Sequence, residues 1–211
     1  MRRLVVLGLL ALLVAAPLAH ADADPASDWL LQRFVFIPPD AGVSGGDVSR
    51  LTSELQSLQK KGYTLHVATI PTRYDMGAVT VLFNRPHEYA PFLSQELRFL
   101  YKGRVLVVMK NGYAIARDGK RDPTEQKVVD ALPLPTAMQG PPLAAATERA
   151  IRRLAAHSGF KVTSAPISAK GGSSTTSDRI EIVAGAAVLV AVVLAFSYWR
   201  RRGAALRRPS R

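Results

Sequence analysis

The sequence has no cysteine among its 211 residues. This absence excludes disulfide bonds, thiol catalysis, cysteine-based metal sites and attachment of a lipid to an N-terminal cysteine. A domain of this composition must therefore be held together by its hydrophobic core. Residues 28–160 are enough for one domain of common size, and we find no internal repeat.

Several sequence motifs that carry catalysis are also missing. The chain has no H-E-x-x-H metal motif and no glycine-rich phosphate loop. His66 falls in a predicted strand, where a structural role is the more frequent one. Glu88, next to His87, begins a predicted helix, and the helix dipole explains an acid at that place. No catalytic residue is predicted from these patterns.

The N-terminal 21 residues have the layout of a signal peptide. Arg2 and Arg3 precede an apolar stretch from Leu4 to Ala16, and small residues stand at Ala19 and Ala21. We predict cleavage after Ala21. The apolar stretch is shorter than the roughly 20 residues that span a bilayer, which disfavours the alternative of an uncleaved anchor.

A second apolar run, Ile180 to Trp199, is long enough to cross a membrane. It has 20 residues and one charge, Glu181, at its outer edge. At about 1.5 Å per residue, a helix of this length spans the hydrocarbon core. Tyr198 and Trp199 stand where aromatic side chains favour the headgroup boundary. The sequence therefore predicts a single transmembrane helix over 180–199, and a lipid bilayer as a partner.

The residues after this run set the predicted orientation. The tail, 200–211, has six arginines and no acid. Positive charge beside a span stays on the cytoplasmic side. We expect a single-pass type I protein of the cell membrane, with its main domain extracytoplasmic and a short basic cytoplasmic tail. The topology anchors are Tyr198, Trp199, Arg200, Arg201 and Arg202.

The net charge of +12 does not indicate a nucleic-acid partner. Residues 22–178 have 19 Lys and Arg against 15 Asp and Glu, a net charge of +4. Most of the excess lies at the two ends, and no dense basic stripe with interleaved aromatics appears in between. Arginine outnumbers lysine by 20 to 8 and alanine is abundant, which favours a bacterial origin.

The middle of the chain predicts an α/β fold. Phe34–Ile37 and Tyr63–Ile70 have the pattern of strands. Between them, Val48, Leu51, Leu55 and Leu58 repeat at helical spacing, with Ser44 or Asp47 as a cap and Gly62 as a stop. Further helices and a strand pair follow. We predict a small mixed sheet with a β-hairpin, sandwiched by helices.

The hairpin is predicted from the stretch RVLVVMKNGYAIARDG, Arg104 to Gly119. Val105–Met109 is a continuous apolar run, as in a strand covered on both faces. Asn111-Gly112 is the dipeptide typical of a two-residue type I′ turn. A phosphate loop would lead into a helix instead. The domain then ends near residue 160, and a flexible Gly/Ser/Thr stalk is predicted over 161–179.

Three acids follow predicted strands, namely Asp40, Asp75 and Asp118. If the first two strands are adjacent and parallel, Asp40 and Asp75 lie at the carboxyl edge of the sheet, where open α/β folds place ligands. A divalent cation, Ca²⁺ or Mg²⁺, would suit carboxylates there. The alternative is that Asp40 and Asp75 cap the helices that follow them.

Four stretches of the chain resemble the TPM-domain family: PPDAGVSGGDVSRLTSELQSL, YTLHVATI, YAPFLSQEL and GRVLVVMKNGYAIARDG. The resemblance covers roughly residues 30–120. It implies an exported α/β sandwich followed by a membrane span, and it points to Asp40 and Asp75 at the loop edge. Members of that family include acid phosphatases, calcium binders and factors for membrane-protein assembly or repair. After Gly119 the chain departs from the family pattern, and Phe99 stands near the family's helix tryptophan.

The leading functional hypothesis is a membrane-tethered extracytoplasmic module that binds or assists another envelope or membrane protein. The alternative is a metal-assisted phosphatase that uses Asp40 and Asp75. A third possibility is that cations around the hairpin recruit an anionic partner, although an ordinary solvated face explains them as well. These cations are Lys102, Arg104, Lys110, Arg117, Lys120 and Arg121.

Overall fold

The computed structural model describes residues 24–169. The predicted signal peptide (1–21), membrane span (180–199) and basic tail (200–211) lie outside the described residues, and so do the topology anchors from Tyr198 to Arg202. Between residues 24 and 169, no helix is both long and apolar enough to cross a membrane.

The described chain alternates helices with strands. Two short 3₁₀ segments, Pro39–Ala41 and Arg73–Leu82, follow the first and second strands. The remaining elements, in chain order, are α1 (Pro25–Leu30), β1 (Val35–Phe36), α2 (Gly45–Lys60), β2 (Leu65–Thr69), α3 (Pro86–Leu97), β3 (Arg104–Met109), β4 (Gly112–Arg117), β5 (Lys120–Arg121), α4 (Pro123–Asp130) and α5 (Gly140–His157).

The five strands form one mixed sheet in the order β1-β2-β3-β4-β5. Strands β1, β2 and β3 are parallel, with Val67 opposite Leu106 in the central pair. Strands β3 and β4, and then β4 and β5, are antiparallel. The predicted α/β class, with a small mixed sheet and a hairpin, is confirmed.

Each face of the sheet is covered by its own hydrophobic core. On one face, α2, α4 and α5 pack on strand residues such as Val67 and Leu106. On the other face, α1, α3 and the segment Arg73–Leu82 pack on Ala68 and Val107. Neighbouring residues alternate between the two cores because successive side chains of a strand point to opposite faces. The sandwich of helices around the sheet follows from this alternation.

Helix α2 has the boundaries that its sequence predicts. Ser44 is its N-cap, and the Ser44 side chain accepts a hydrogen bond from the Asp47 backbone N–H. Leu51, Leu55 and Leu58 are buried against the sheet. Gly62 has a φ of +93°, the left-handed conformation that ends helices.

The hairpin between β3 and β4 forms, but its turn is not the predicted one. Met109 pairs with Gly112, so Lys110 and Asn111 occupy the turn and Gly112 is the first residue of β4. A type I′ turn requires positive φ at both central residues. Within residues 24–169, the non-glycine residues with positive φ are Asn84 and Asp118, so the predicted type I′ turn at Asn111-Gly112 is wrong.

The next turn has the conformation that had been expected at Asn111-Gly112. Arg117 pairs with Lys120, and the two residues between them, Asp118 and Gly119, have φ values of +52° and +75°. The Gly119 N–H donates a hydrogen bond of 3.0 Å to Ser94 Oγ in α3. The Asp-Gly dipeptide therefore makes the two-residue turn, and it is fastened to α3.

The packed domain extends beyond both predicted boundaries, 28 and 160. At the start, α1 begins at Pro25. At the end, Ile167 is 7% exposed and belongs to the core beside α2 and α5. Lys61 Nζ donates a hydrogen bond of 3.1 Å to the Lys161 carbonyl. Residues 161–167, predicted as the start of a flexible stalk, thus pack on the domain.

Replacing Gly119 with alanine is expected to lower the free energy of unfolding by about 1–2 kcal/mol, because positive φ strains residues with a Cβ. An added Cβ would also lie 3.2 Å from Gln95 Cβ. Urea unfolding of the purified chain measures the change.

The matched control is Gly45→Ala, at the first position of α2. A Cβ at Gly45 would have no neighbour within 4 Å, so we expect stability to stay the same or rise slightly. Equal effects of the two substitutions would contradict the turn assignment.

Candidate functional site

The two predicted acids do lie at the same edge of the sheet. Asp40 is in the 3₁₀ segment that follows β1, and Asp75 is in the one that follows β2. Because β1 and β2 are parallel neighbours, both segments leave from the carboxyl edge. This is where α/β folds place ligands.

The Asp75 carboxylate is already engaged in local structure. Its Oδ2 accepts hydrogen bonds from the Thr72 backbone N–H at 2.7 Å and from Thr72 Oγ1 at 2.8 Å. This is a capping interaction at the start of Arg73–Leu82, so the capping role predicted as the alternative is found for Asp75. Asp40 is exposed, and Ser44 rather than Asp40 caps α2.

The carboxyl edge offers a cation few protein ligands. Among residues 24–169, no three His, Asp or Glu side chains converge into a group that could hold a metal ion. A hard cation at this edge would depend on Asp40, on the Oδ1 atom of Asp75, and on backbone carbonyls and water. The geometry therefore brings the two predicted ligands to one edge without completing a coordination sphere.

The same edge exposes two large apolar side chains that sequence reasoning did not single out. Tyr74 is 86% exposed and Val81 is 70% exposed, and both belong to Arg73–Leu82, which we call the carboxyl-edge loop. Met76 anchors the loop in the core, and the backbone kinks at Gly77, where φ is +50°. The loop thus presents an aromatic ring and a branched side chain to solvent.

The predicted turn residue Asn111 supports this edge. Its Nδ2 donates a hydrogen bond of 2.5 Å to the carbonyl of Asn84, which follows the carboxyl-edge loop. Asn84 has a φ of +59°, a conformation that asparagine tolerates better than most residues. The β3–β4 turn is therefore hydrogen-bonded to the segment that follows the carboxyl-edge loop, and this contact does not indicate a ligand.

The six cations predicted around the hairpin do not form one surface. Lys110 lies in the β3–β4 turn at the carboxyl edge, whereas Arg104 and Arg117 pair at the opposite end of the hairpin. The Arg104 side chain is also paired with a buried acid, because its Nε donates a 2.5 Å hydrogen bond to Glu125 Oε1. Its guanidinium carbon is 4.3 Å from the centre of the Tyr63 ring.

Three of the six cations, Arg117, Lys120 and Arg121, line an open depression of about 530 Å³ at the amino edge of the parallel strands. Arg98, at the end of α3, reaches this depression and is followed by Phe99 and Leu100, which are 84% and 78% exposed. We call this set the amino-edge surface: Arg98, Phe99, Leu100, Arg117, Lys120 and Arg121. Sequence reasoning had not singled out Phe99 and Leu100 as an exposed pair.

Asp24 and Tyr89 form a buried hydrogen-bonded pair between α1 and α3. The Tyr89 hydroxyl lies 2.8 Å from Asp24 Oδ1 and 2.7 Å from Oδ2, and Asp24 is 3% exposed. Burial raises the pKa of Asp24 to about 6, against the opposing effect of the Tyr89 hydrogen bond. A raised pKa is frequent in catalytic groups, but here α1 and Tyr89 cover the carboxylate. The pair fixes the start of the domain.

His66 is a buried histidine of β2, as its sequence context predicts. Its ring stacks on Tyr101 with 3.7 Å between ring centres and meets the edge of Phe34 at 5.2 Å. Burial lowers the pKa of His66 to about 4, so the ring is neutral near pH 7. Its Nδ1 has no hydrogen-bond partner in the described chain. The role is one of packing.

A second buried acid cluster holds the C-terminal segment of the domain. Arg152 Nη2 lies 2.7 Å from both Glu54 Oε1 and Glu148 Oε1, and these acids are 4% and 2% exposed. Glu54 also accepts a hydrogen bond from Ser164 Oγ, and Glu148 accepts one from the Ile167 backbone N–H. Desolvation raises the pKa of Glu54. These contacts explain why residues 161–167 pack on α2 and α5.

Asp24→Asn is expected to make the slope of stability against pH more positive between pH 4 and pH 6, because it removes a contribution that falls as pH rises. The folded chain keeps a proton on Asp24 up to about pH 6, whereas the unfolded carboxyl releases it near pH 3.8. Stability from this proton is complete below pH 3.8 and is lost as pH rises through 6, a change of about 3 kcal/mol. Denaturant unfolding between pH 4 and pH 7 measures the slope.

The matched control is Asp28→Asn, an exposed acid on the same helix, which should leave the slope unchanged. His66 titrates in this range with the opposite sign, because its lowered pKa reduces stability as pH falls. It is present in both variants, so their difference reports on Asp24. Identical slopes for wild type and Asp24→Asn would contradict the assignment.

Comparison with known proteins does not assign the chain to a family. No family model matches it. No curated protein matches it either. The resemblance to TPM domains therefore stays a prediction from the motifs of the chain.

Proposed function

We propose that this protein is a membrane-tethered extracytoplasmic interaction module, which binds or assists another envelope or membrane protein. The observation that carries the proposal is the carboxyl-edge loop, Arg73–Leu82. It holds Tyr74 and Val81 in solvent on a backbone that is anchored to the core.

Single exposed apolar side chains are common on soluble domains and need no special explanation. The carboxyl-edge loop differs because its two exposed side chains share one anchored segment. Met76 is fully buried between them, and Asp75 ties the start of the loop to Thr72. Aromatic side chains dominate the energetics of protein interfaces, and a rigid loop loses little conformational entropy on binding.

The predicted membrane span supports the same function. A domain held next to the bilayer by residues 180–199 meets other membrane-bound proteins at a high effective concentration. A modest interface is then enough for association. Residues 170–179, the rest of the predicted stalk, are rich in glycine, serine and threonine, a composition typical of flexible linkers.

The alternative function is a metal-assisted phosphatase of the TPM type. It is supported by the placement of Asp40 and Asp75 at the carboxyl edge of two adjacent parallel strands. A cation would have to be bound by the Asp75 carboxylate while its Oδ2 accepts two hydrogen bonds from Thr72. We favour the interaction module because this carboxylate already stabilises the loop.

Thermal melting with excess Ca²⁺, excess Mg²⁺ or a chelator distinguishes the two functions. The interaction module predicts the same melting temperature in all three conditions. The phosphatase predicts stabilisation of about 2.7 kcal/mol at a cation concentration 100 times Kd, since the ion binds only the folded state. It also predicts that Asp40→Asn and Asp75→Asn each abolish this response.

Asp118→Asn is the control, because Asp118 is an exposed acid at the opposite edge and asparagine tolerates its positive φ. Cation-dependent melting in the wild type, lost in the Asp40 and Asp75 variants and retained in the Asp118 variant, would establish the metal site. Hydrolysis of a generic phosphomonoester by the same samples would then favour the enzyme.

Photo-crosslinking tests the binding surface. The full chain is produced in cells with a photoreactive amino acid in place of Tyr74, and we expect a discrete adduct with one membrane or envelope protein. The Val81→Asp substitution should reduce this adduct, because it places a charge in the apolar contact. The matched control is the same photoreactive group at Leu134, which is 55% exposed. Equal adducts from both positions would contradict the proposal.

A further inference from the structure

We propose that the amino-edge surface, Arg98, Phe99, Leu100, Arg117, Lys120 and Arg121, docks on a bilayer rich in anionic phospholipid. This goes beyond the proposed function, because it uses the edge of the sheet opposite the carboxyl-edge loop. It rests on three features of the surface: protruding apolar side chains, a cluster of cations, and a rigid connection between the two.

The apolar part consists of Phe99 and Leu100. They are consecutive, and both expose more than three quarters of their surface, 84% and 78%. The residues on either side are anchored, since Leu97 is buried in the core and the Tyr101 hydroxyl donates a 2.8 Å hydrogen bond to the Arg104 carbonyl. The pair therefore projects from a fixed turn, and this suits insertion of an aromatic and an aliphatic side chain at the headgroup boundary.

The cationic part lies next to this pair. Arg98, Arg117, Lys120 and Arg121 line the same depression, together with the acids Asp118 and Asp122. Asp122 is engaged as the N-cap of α4, where its Oδ1 accepts hydrogen bonds from two backbone N–H groups. The cations outnumber the acids by four to two, so the depression favours the phosphate groups of lipids.

The two parts belong to one rigid surface. The Asp118-Gly119 turn, which precedes Lys120 and Arg121, is hydrogen-bonded from the Gly119 N–H to Ser94 Oγ. A Cβ at Gly119 would lie 3.2 Å from Gln95, so the turn and the last turn of α3 are in close contact. That helix leads directly into Arg98, Phe99 and Leu100. A bilayer that takes up the apolar pair would therefore meet the cations as well.

A lipid surface fits these features better than an acidic protein does. Peptides often bind a sheet by adding a strand to its edge. Here the edge strand β5 has two residues, Lys120 and Arg121, and short charged edge strands oppose such pairing. The predicted membrane span begins eleven residues after the last described residue, and a chain of eleven residues reaches at most about 40 Å.

The test uses the absence of cysteine, which allows a fluorophore to be placed at one position. The full chain with Leu100→Cys is labelled with an environment-sensitive fluorophore and incorporated into nanodiscs. We expect a blue shift and quenching by lipid-borne quenchers in phosphatidylglycerol discs, and little change in phosphatidylcholine discs. High salt should reverse the effect, because it screens attraction between exposed charges.

The matched control is Leu134→Cys with the same fluorophore, which should not respond to lipid charge. Lys120→Glu and Arg121→Glu should each weaken docking by at least roughly fivefold, since one basic residue contributes about 1 kcal/mol near an anionic surface. Lys110→Glu, at the other end of the hairpin, should leave docking unchanged. Circular dichroism checks that each variant is folded.

An unshifted label at position 100 in phosphatidylglycerol discs would overturn the proposal. An equal shift in phosphatidylcholine discs that persists at high salt would overturn it too, because the cations would then have no part in docking. A shift that requires added envelope proteins and is absent in pure lipid would replace the bilayer with a protein partner. A shift that depends on lipid charge and is lost in the Lys120 and Arg121 variants supports lipid docking.

Discussion

The structure depends on the burial of strands β2 and β3 on both faces. Leu65, Val67 and Thr69 point to one side of β2, and His66 and Ala68 point to the other; all five are at most 8% exposed. A strand covered in this way needs helices above and below it, which gives the α/β sandwich. The two cores that result let the domain fold without any disulfide bond. They also leave the sheet edges and loops as the places where function can lie.

Buried charges secure both ends of the domain. Asp24 fastens α1 to α3 through Tyr89, while Glu54 and Glu148 hold residues 161–167 through Arg152 and Ser164. A buried carboxylate is costly unless it is hydrogen-bonded or paired, so each of these acids stands among specific partners. The pKa values of Asp24 and Glu54 are raised because burial disfavours their charged forms.

The two surfaces proposed for binding have different chemistry because they lie at opposite edges of the sheet. The carboxyl-edge loop exposes an aromatic side chain, Tyr74, and a branched one, Val81, which suits a protein interface. The amino-edge surface combines Phe99 and Leu100 with four cations, which suits an anionic bilayer. One domain with both surfaces could contact a membrane and a partner protein at the same time.

Sequence alone determined the elements whose signal is local. Helix α2 was predicted from the helical spacing of Leu51, Leu55 and Leu58. Strand β3 was predicted from the continuous apolar run Val105–Met109. Both patterns can be read from a few neighbouring residues. The tertiary structure decided the rest. The β3–β4 turn lies at Lys110 and Asn111 because the strand register pairs Met109 with Gly112. Residues 161–167 pack on the domain because Glu54 and Glu148, over 15 residues away in the sequence, accept hydrogen bonds from them. The hairpin cations separate because the two ends of a strand pair lie at opposite edges of a sheet.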